Sequence, residues 1–185
     1  MREIEIKLRV NDLDEVEERL KQQGCVLSEP ISQHDTIYSL PSKSIRGDFG
    51  DTKEGHIAVR LRKQSDDTIF NLKKQLTNEM DNIEYETKVE DGETMHQILQ
   101  LLEWKPEVEV KKTRKKGKLG EYEICLDRVE ELGNFIEIEK MTDDNADPEQ
   151  ARKELFEALK PFGLTEKDEE TKGYDTQIYQ LQNKK

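Results

Sequence analysis

The sequence predicts an α+β fold in which about eight antiparallel strands close into a β-barrel, flanked by helices. Three observations carry this expectation. Apolar and charged residues alternate at strand spacing along most of the 185 residues. The charged faces segregate by sign from one strand to the next, and helical stripes with recognisable caps interrupt the strands.

Residues 2 to 10 alternate strictly, with Ile4, Ile6, Leu8 and Val10 on one face and Glu3, Glu5, Lys7 and Arg9 on the other. Asn11 or Asp12 then caps a helix with the stripe Leu13, Val16 and Leu20, stopped by Gly24. A strand follows around Asp35 to Tyr38. Residues 39–56 contain Pro41, Gly47, Gly50 and Gly55, which reads as a long mobile loop or broken hairpin. In Ile57 to Arg62, the apolar Ile57, Val59 and Leu61 oppose Arg60 and Arg62. In Ile69 to Gln75, Phe70 and Leu72 oppose Asn71 and Lys73. In Ile83 to Val89, Tyr85 and Val89 oppose Glu84, Glu86 and Lys88.

A helix from about Glu93 to Glu103 is expected to bury Met95, Ile98, Leu99 and Leu102, with Trp104 as a core plug after it. Val108 to Arg114 is extended and points Lys112 and Arg114 the same way; Gly117 and Gly120 are expected to break it. Tyr122 to Val129 sets Ile124 and Leu126 against Asp127. Phe135 to Glu139 sets Ile136 and Ile138 against Glu137 and Glu139. Asp147 and Pro148 open a helix striped by Ala151, Leu155 and Leu159, with Gly163 after it. Tyr174, Ile178 and Leu181 suit a short final helix.

The length suits one domain, 1–185. Hydrophobic residues make up 32% and charged residues 39%, a balance that alone leans toward disorder; the periodicity overrules it. A net charge of -12 argues against a general nucleic-acid binder, whose affinity comes from broad phosphate neutralisation. Cys25 and Cys125 form no metal or disulfide pattern. No apolar run is long enough to span a membrane, so a cytoplasmic location and no membrane partner are expected.

An open sheet with one wet face would mix charges without order. Here Glu3 with Glu5, Glu84 with Glu86, and Glu137 with Glu139 form acidic i,i+2 pairs, while Arg60 with Arg62 and Lys112 with Arg114 form basic ones. Like charges at that spacing repel unless something compensates them. A closed barrel turns all these faces into one lumen, acidic strands against basic strands. Carboxylates there are hard oxygen ligands for Mg2+ or Mn2+, and Arg and Lys match phosphate oxygens. A metal-bound polyphosphate satisfies both.

These residues also resemble a known family. Glu3-Ile4-Glu5-Ile6-Lys7 is similar to the ExExK signature of the CYTH superfamily, the triphosphate tunnel metalloenzymes, which include class IV adenylyl cyclases and thiamine triphosphatases. The likeness runs in order through Asp35-Thr36-Ile37-Tyr38, Arg60-Leu61-Arg62, Leu72-Lys73, Glu84-Tyr85-Glu86, Lys112-Thr113-Arg114, Leu126-Asp127 and Leu132 to Glu139. It ends at Lys172-Gly173-Tyr174-Asp175, where Gly173 replaces the usual small polar residue.

The resemblance implies an eight-stranded tunnel in which Arg60, Arg62, Lys73, Lys112 and Arg114 grip phosphates. It implies that Glu3, Glu5, Glu137 and Glu139 hold the metal, with Asp127, Glu84 and Glu86 as further ligands or orienters. Lys7 and Lys172 would lie at the tunnel ends and orient the phosphate or activate a nucleophile. The leading expectation is a class IV adenylyl cyclase converting ATP to cyclic AMP and pyrophosphate. The alternatives are a triphosphatase acting on tripolyphosphate, thiamine triphosphate or a nucleoside triphosphate, and a binding module without turnover. A homodimer stays open as the assembly.

Overall fold

The computed structural model describes residues 2–40, 55–77, 79–143 and 145–183. Its strands are β1 (Arg2–Val10), β2 (Ile31–Ser39), β3 (Ile57–Gln64), β4 (Asp67–Gln75), β5 (Asp81–Val89), β6 (Lys105–Leu119), β7 (Tyr122–Val129) and β8 (Gly133–Thr142). They form a closed antiparallel barrel in the order β1-β5-β4-β3-β2-β6-β7-β8. The helices α1 (Leu13–Gln22), α2 (Gly92–Leu101), α3 (Pro148–Leu159) and α4 (Tyr174–Gln182) flank it. Most of the loop expected over 39–56 lies outside the described residues.

The barrel has its apolar side outward and its charged side inward. Ile4, Ile6 and Leu8 of β1, Ile124 and Leu126 of β7, and Ile136 and Ile138 of β8 are buried against Leu13, Val16 and Leu20 of α1 and Ala151, Leu155 and Leu159 of α3. Alternation makes this possible: one face of each strand feeds a helix-covered core and the other stays free for the lumen. Helix α1 starts where Asp12 accepts from the backbone N–H groups of Asp14 and Glu15, and α3 starts at Asp147 with Pro148 in its first turn. A second cluster under α2 joins Tyr38, Val59, Leu61 and Leu99, with Trp104 packed against it as expected.

Two expectations need correction. Gly117 does not break β6, which runs on to Leu119; a Cβ there would stand 2.9 Å from Cys25 Sγ and 2.8 Å from Leu27 Cδ2, so this glycine admits the segment after α1. The turn falls instead at Gly120, at φ +62°. On α2 and at its C-cap, Ile98 and Leu102 are 43% and 61% exposed, and only Leu99 is buried, because one short helix covers the barrel with a single row.

The ladder between β1 and β5 is short, with Arg2 opposite Ile83, Glu3 opposite Asn82 and Ile4 opposite Asp81. Beyond it the edge of β1 is taken by the C-terminal segment. Leu8 bridges to Glu169, and the Glu170 N–H donates to the Lys7 carbonyl at 2.7 Å. The chain leading into α4 therefore fills part of the barrel wall.

Candidate active site

The lumen is a cavity of about 440 Å³ whose wall is mostly charged. Its cations are held by acids on neighbouring strands. Arg62 lies opposite Asp35 in register and donates to both of its oxygens, at 2.7 and 2.8 Å. Arg114 lies opposite Asp127, to which its Nε donates at 2.7 Å, while its Nη2 reaches both Asp127 and Glu137. Lys112 Nζ is 3.5 Å from Asp127. Lys73 sits 2.8 Å from Glu84 and 3.1 Å from Glu3. Such pairing compensates cations that would otherwise be buried at large cost.

Arg60 is held loosely. Its guanidinium stands 3.5 Å from Asp35 and 3.7 Å from Glu84, and its buried Nε has no hydrogen-bond partner among the described residues.

Three acids are less well compensated: Glu3 shares Lys73 with Glu84, and Glu5 and Glu139 have no ion pair among the described residues. Carboxylate oxygens of Glu3, Glu5 and Glu139 all lie within 4.8 Å of one another, with Glu5 opposite Glu139 across β1 and β8. Burial, with Glu137 and Glu3 adding repulsion, pushes the Glu5 carboxyl up to about 7. Burial and the charges of Glu3 and Glu5 push Glu139 to about 8. Glu3 is also raised by burial, against the pull of Lys73. Three hard oxygen donors that repel one another fit a divalent cation, which would relieve the repulsion and displace the protons.

The other acids behave in the opposite way. Burial would raise Glu137, but Arg114, Lys112 and Lys7 outweigh it and hold the carboxyl well below the usual range. Lys73 and Arg60 similarly outweigh burial at Glu84 and lower it to about 2. For Lys112, burial and the neighbouring Arg114 lower the ammonium to about 8.

The lumen thus brings together Arg60, Arg62, Lys73, Lys112 and Arg114, with Glu3, Glu5 and Glu139 as one acidic group. Glu137 and Glu84 line the same cavity but are engaged by cations, and Glu86 lines it from an exposed position. Asp127, fully buried, fixes Arg114. Lys7 is 1% exposed and donates to the Lys172 carbonyl at 2.5 Å. The Lys172 ammonium instead meets Gln180 at 3.1 Å, so this residue reaches Lys7 through its backbone.

Several participants were not picked out by sequence reasoning. Asp35 stood only as part of a strand motif, and its alternation in phase with the lumen was the available signal. Asn71 donates to Glu84. Tyr174 enters the lumen from a helix, where strand alternation gives no warning.

Comparison with known proteins agrees with this geometry. The family model described as CYTH domain matches residues 1–174. The chain belongs to the CYTH family. Members of this family bind triphosphates and are generally dependent on a divalent metal. The chain is 30% identical over 176 residues to a Methanocaldococcus jannaschii protein named "putative adenylate cyclase", covering 94% of this chain and 97% of that protein. A Pyrococcus horikoshii protein of solved structure is 27% identical, with a TM-score of 0.79 over 95% of this chain and 98% of that one. A Hippeastrum protein with a dominant triphosphatase activity shares the fold at a TM-score of 0.63 and 18% identity, covering 98% of this chain and 95% of that one. No helix among the described residues of this CYTH protein is long and apolar enough to cross a membrane.

Proposed function

We propose that this CYTH protein is an Mg2+- or Mn2+-dependent enzyme acting on a triphosphate inside its barrel, with conversion of ATP to cyclic AMP and pyrophosphate as its reaction. The observation that carries the reading is the division of the lumen. One wall presents the repelling group Glu3, Glu5 and Glu139, and the others present five cations already oriented by Asp35, Asp127 and Glu84.

Glu3, Glu5 and Glu139 would hold the ion, which when bound neutralises charge on phosphate oxygens. Arg60, with its loosely held guanidinium, would take a phosphate directly, and Arg62, Lys73, Lys112 and Arg114 would complete the cradle. These cations orient the chain of phosphates and stabilise charge moving onto the leaving group, which is most of what phosphoryl and nucleotidyl transfer require. Lys7 would fix the phosphate at the end of the tunnel near α4. In cyclisation the ribose 3′ hydroxyl oxygen forms the new bond to the α phosphorus and gives up its proton to water, while the bond to pyrophosphate breaks and its electron pair leaves with the pyrophosphate. The named M. jannaschii relative supports this choice.

Hydrolysis of a triphosphate is the second reading. It is supported by the Hippeastrum protein of the same fold, whose dominant activity is that of a triphosphatase. The test is to incubate the pure protein with ATP or tripolyphosphate and Mn2+ or Mg2+ and identify products by 31P NMR. Cyclic AMP with pyrophosphate supports cyclisation, and ADP or orthophosphate supports hydrolysis. Tight binding with no turnover of either would leave a binding module and overturn the enzyme reading.

A further inference from the structure

The first turn of α4 is built into the lumen in a way that the phosphate-binding cations alone do not explain. Tyr174 is its first residue and is buried with its ring edge-on to Phe135, 5.0 Å between centroids. Two ammonium groups lie over that ring: Lys7 Nζ from β1 at 4.5 Å and Lys112 Nζ from β6 at 4.8 Å. The Tyr174 hydroxyl donates to Asp127 at 2.9 Å, the carboxylate that also receives Arg114. One aromatic side chain therefore touches cations or their anchors on β1, β6 and β7.

The position of Tyr174 is itself fixed from outside α4. Glu79, in the turn between β4 and β5, accepts from the Gly173 N–H at 2.5 Å and from the Thr176 hydroxyl at 3.1 Å. It thereby caps the helix from another element, since no side chain of the cap residue does so. Gly173 packs closely against that Glu79 oxygen, 3.0 Å from where a Cβ would stand. The Lys172 carbonyl accepts from Lys7, and Glu170 hydrogen-bonds along the edge of β1.

We propose that Tyr174 is a positioning residue that sets where Lys7 and Lys112 meet the phosphate chain, and that Glu79 is the latch holding it there. The ring stabilises two desolvated ammonium groups through its negative face. The hydroxyl ties Asp127, and so Arg114, to the same helix. This rests on the triphosphate reading of the lumen and adds that α4 belongs to the binding site rather than merely covering the barrel.

The test is calorimetric titration of tripolyphosphate in the presence of Mn2+. Tyr174→Leu removes ring and hydroxyl, and Kd rises about tenfold or more. Tyr174→Phe retains the ring and recovers most of that affinity. Glu79→Ala leaves Tyr174 chemically intact but releases its helix, and Kd rises in the same direction even though an acidic group has been removed from beside an anion site. This last variant keeps the test decisive if Tyr174→Leu does not fold. Variants that lose thermal stability but bind tripolyphosphate as the wild type does overturn the positioning role. A wild type that binds no tripolyphosphate overturns the reading of the lumen on which it rests.

Discussion

Replacing Glu5 by Gln separates what the acidic group does for function from what it does to stability. Glu5 is 7% exposed, and its carboxyl is raised from 4.5 to about 7 by burial and by Glu137. A carboxyl raised in the folded state holds a proton that the unfolded chain has already released. Stability is therefore fully present below about pH 4.5, falls as pH rises to about 7, and stays reduced above it. At about 1.4 kcal/mol per pH unit, the gap between those values amounts to roughly 3 kcal/mol. Glutamine carries no such charge, so Glu5→Gln without metal should be more stable than wild type by up to about 3 kcal/mol at pH 8 and nearly equal to it at pH 4.5. With Mn2+ at about 100 times Kd, the wild type should gain about 2.7 kcal/mol and the variant much less. Urea unfolding at both pH values, in EDTA and in Mn2+, reads all of this. A variant no more stable than wild type at pH 8 in EDTA would refute the cost of a buried, repelled Glu5 carboxylate on which the metal assignment depends.

Metal binding should release protons between pH 5 and 8, because Glu5 and Glu139, raised to about 7 and about 8, must ionise; calorimetry in two buffers of different ionisation enthalpy measures the number, and the Mn2+-induced rise in Tm should grow with pH. Asp35→Asn leaves the buried Arg62 without its bidentate partner and should destabilise the fold by about 3–5 kcal/mol while weakening tripolyphosphate binding, as read by urea unfolding and titration. Leu155→Ala empties a fully buried position between α3 and the barrel and should cost about 2–5 kcal/mol, with turnover per folded molecule unchanged.

Much of the barrel was legible because alternation assigns each strand two faces, and Ile4, Ile6 and Leu8 could face a core only if Glu3, Glu5 and Lys7 faced something else. Sign segregation then made a lumen the economical arrangement. The division of labour among the acids was not legible, because it depends on register. Glu84 stands opposite Lys73, and Glu137 is reached by Arg114 from across β7, so both spend their charge on cations. Glu5 stands opposite Glu139 instead, and repulsion survives. Nothing local in a Glu-x-Glu pair distinguishes these cases. Tyr174 stood in the closing motif, but its entry into the lumen was not legible for a different reason: helical periodicity assigns it to a stripe, and only the course of the C-terminal segment along β1 carries that stripe into the lumen.

The central claim, that a divalent ion and a triphosphate share one lumen, is tested most directly by titrating Mn2+ into the protein with and without tripolyphosphate and following free Mn2+ by EPR, with protein-free tripolyphosphate as the control for direct chelation. The structure predicts that each ligand tightens the protein's hold on the other by the same factor, about tenfold or more, and that Glu139→Gln abolishes this coupling. Mn2+ binding to the protein that is indifferent to tripolyphosphate, or coupling that survives in Glu139→Gln, would contradict it.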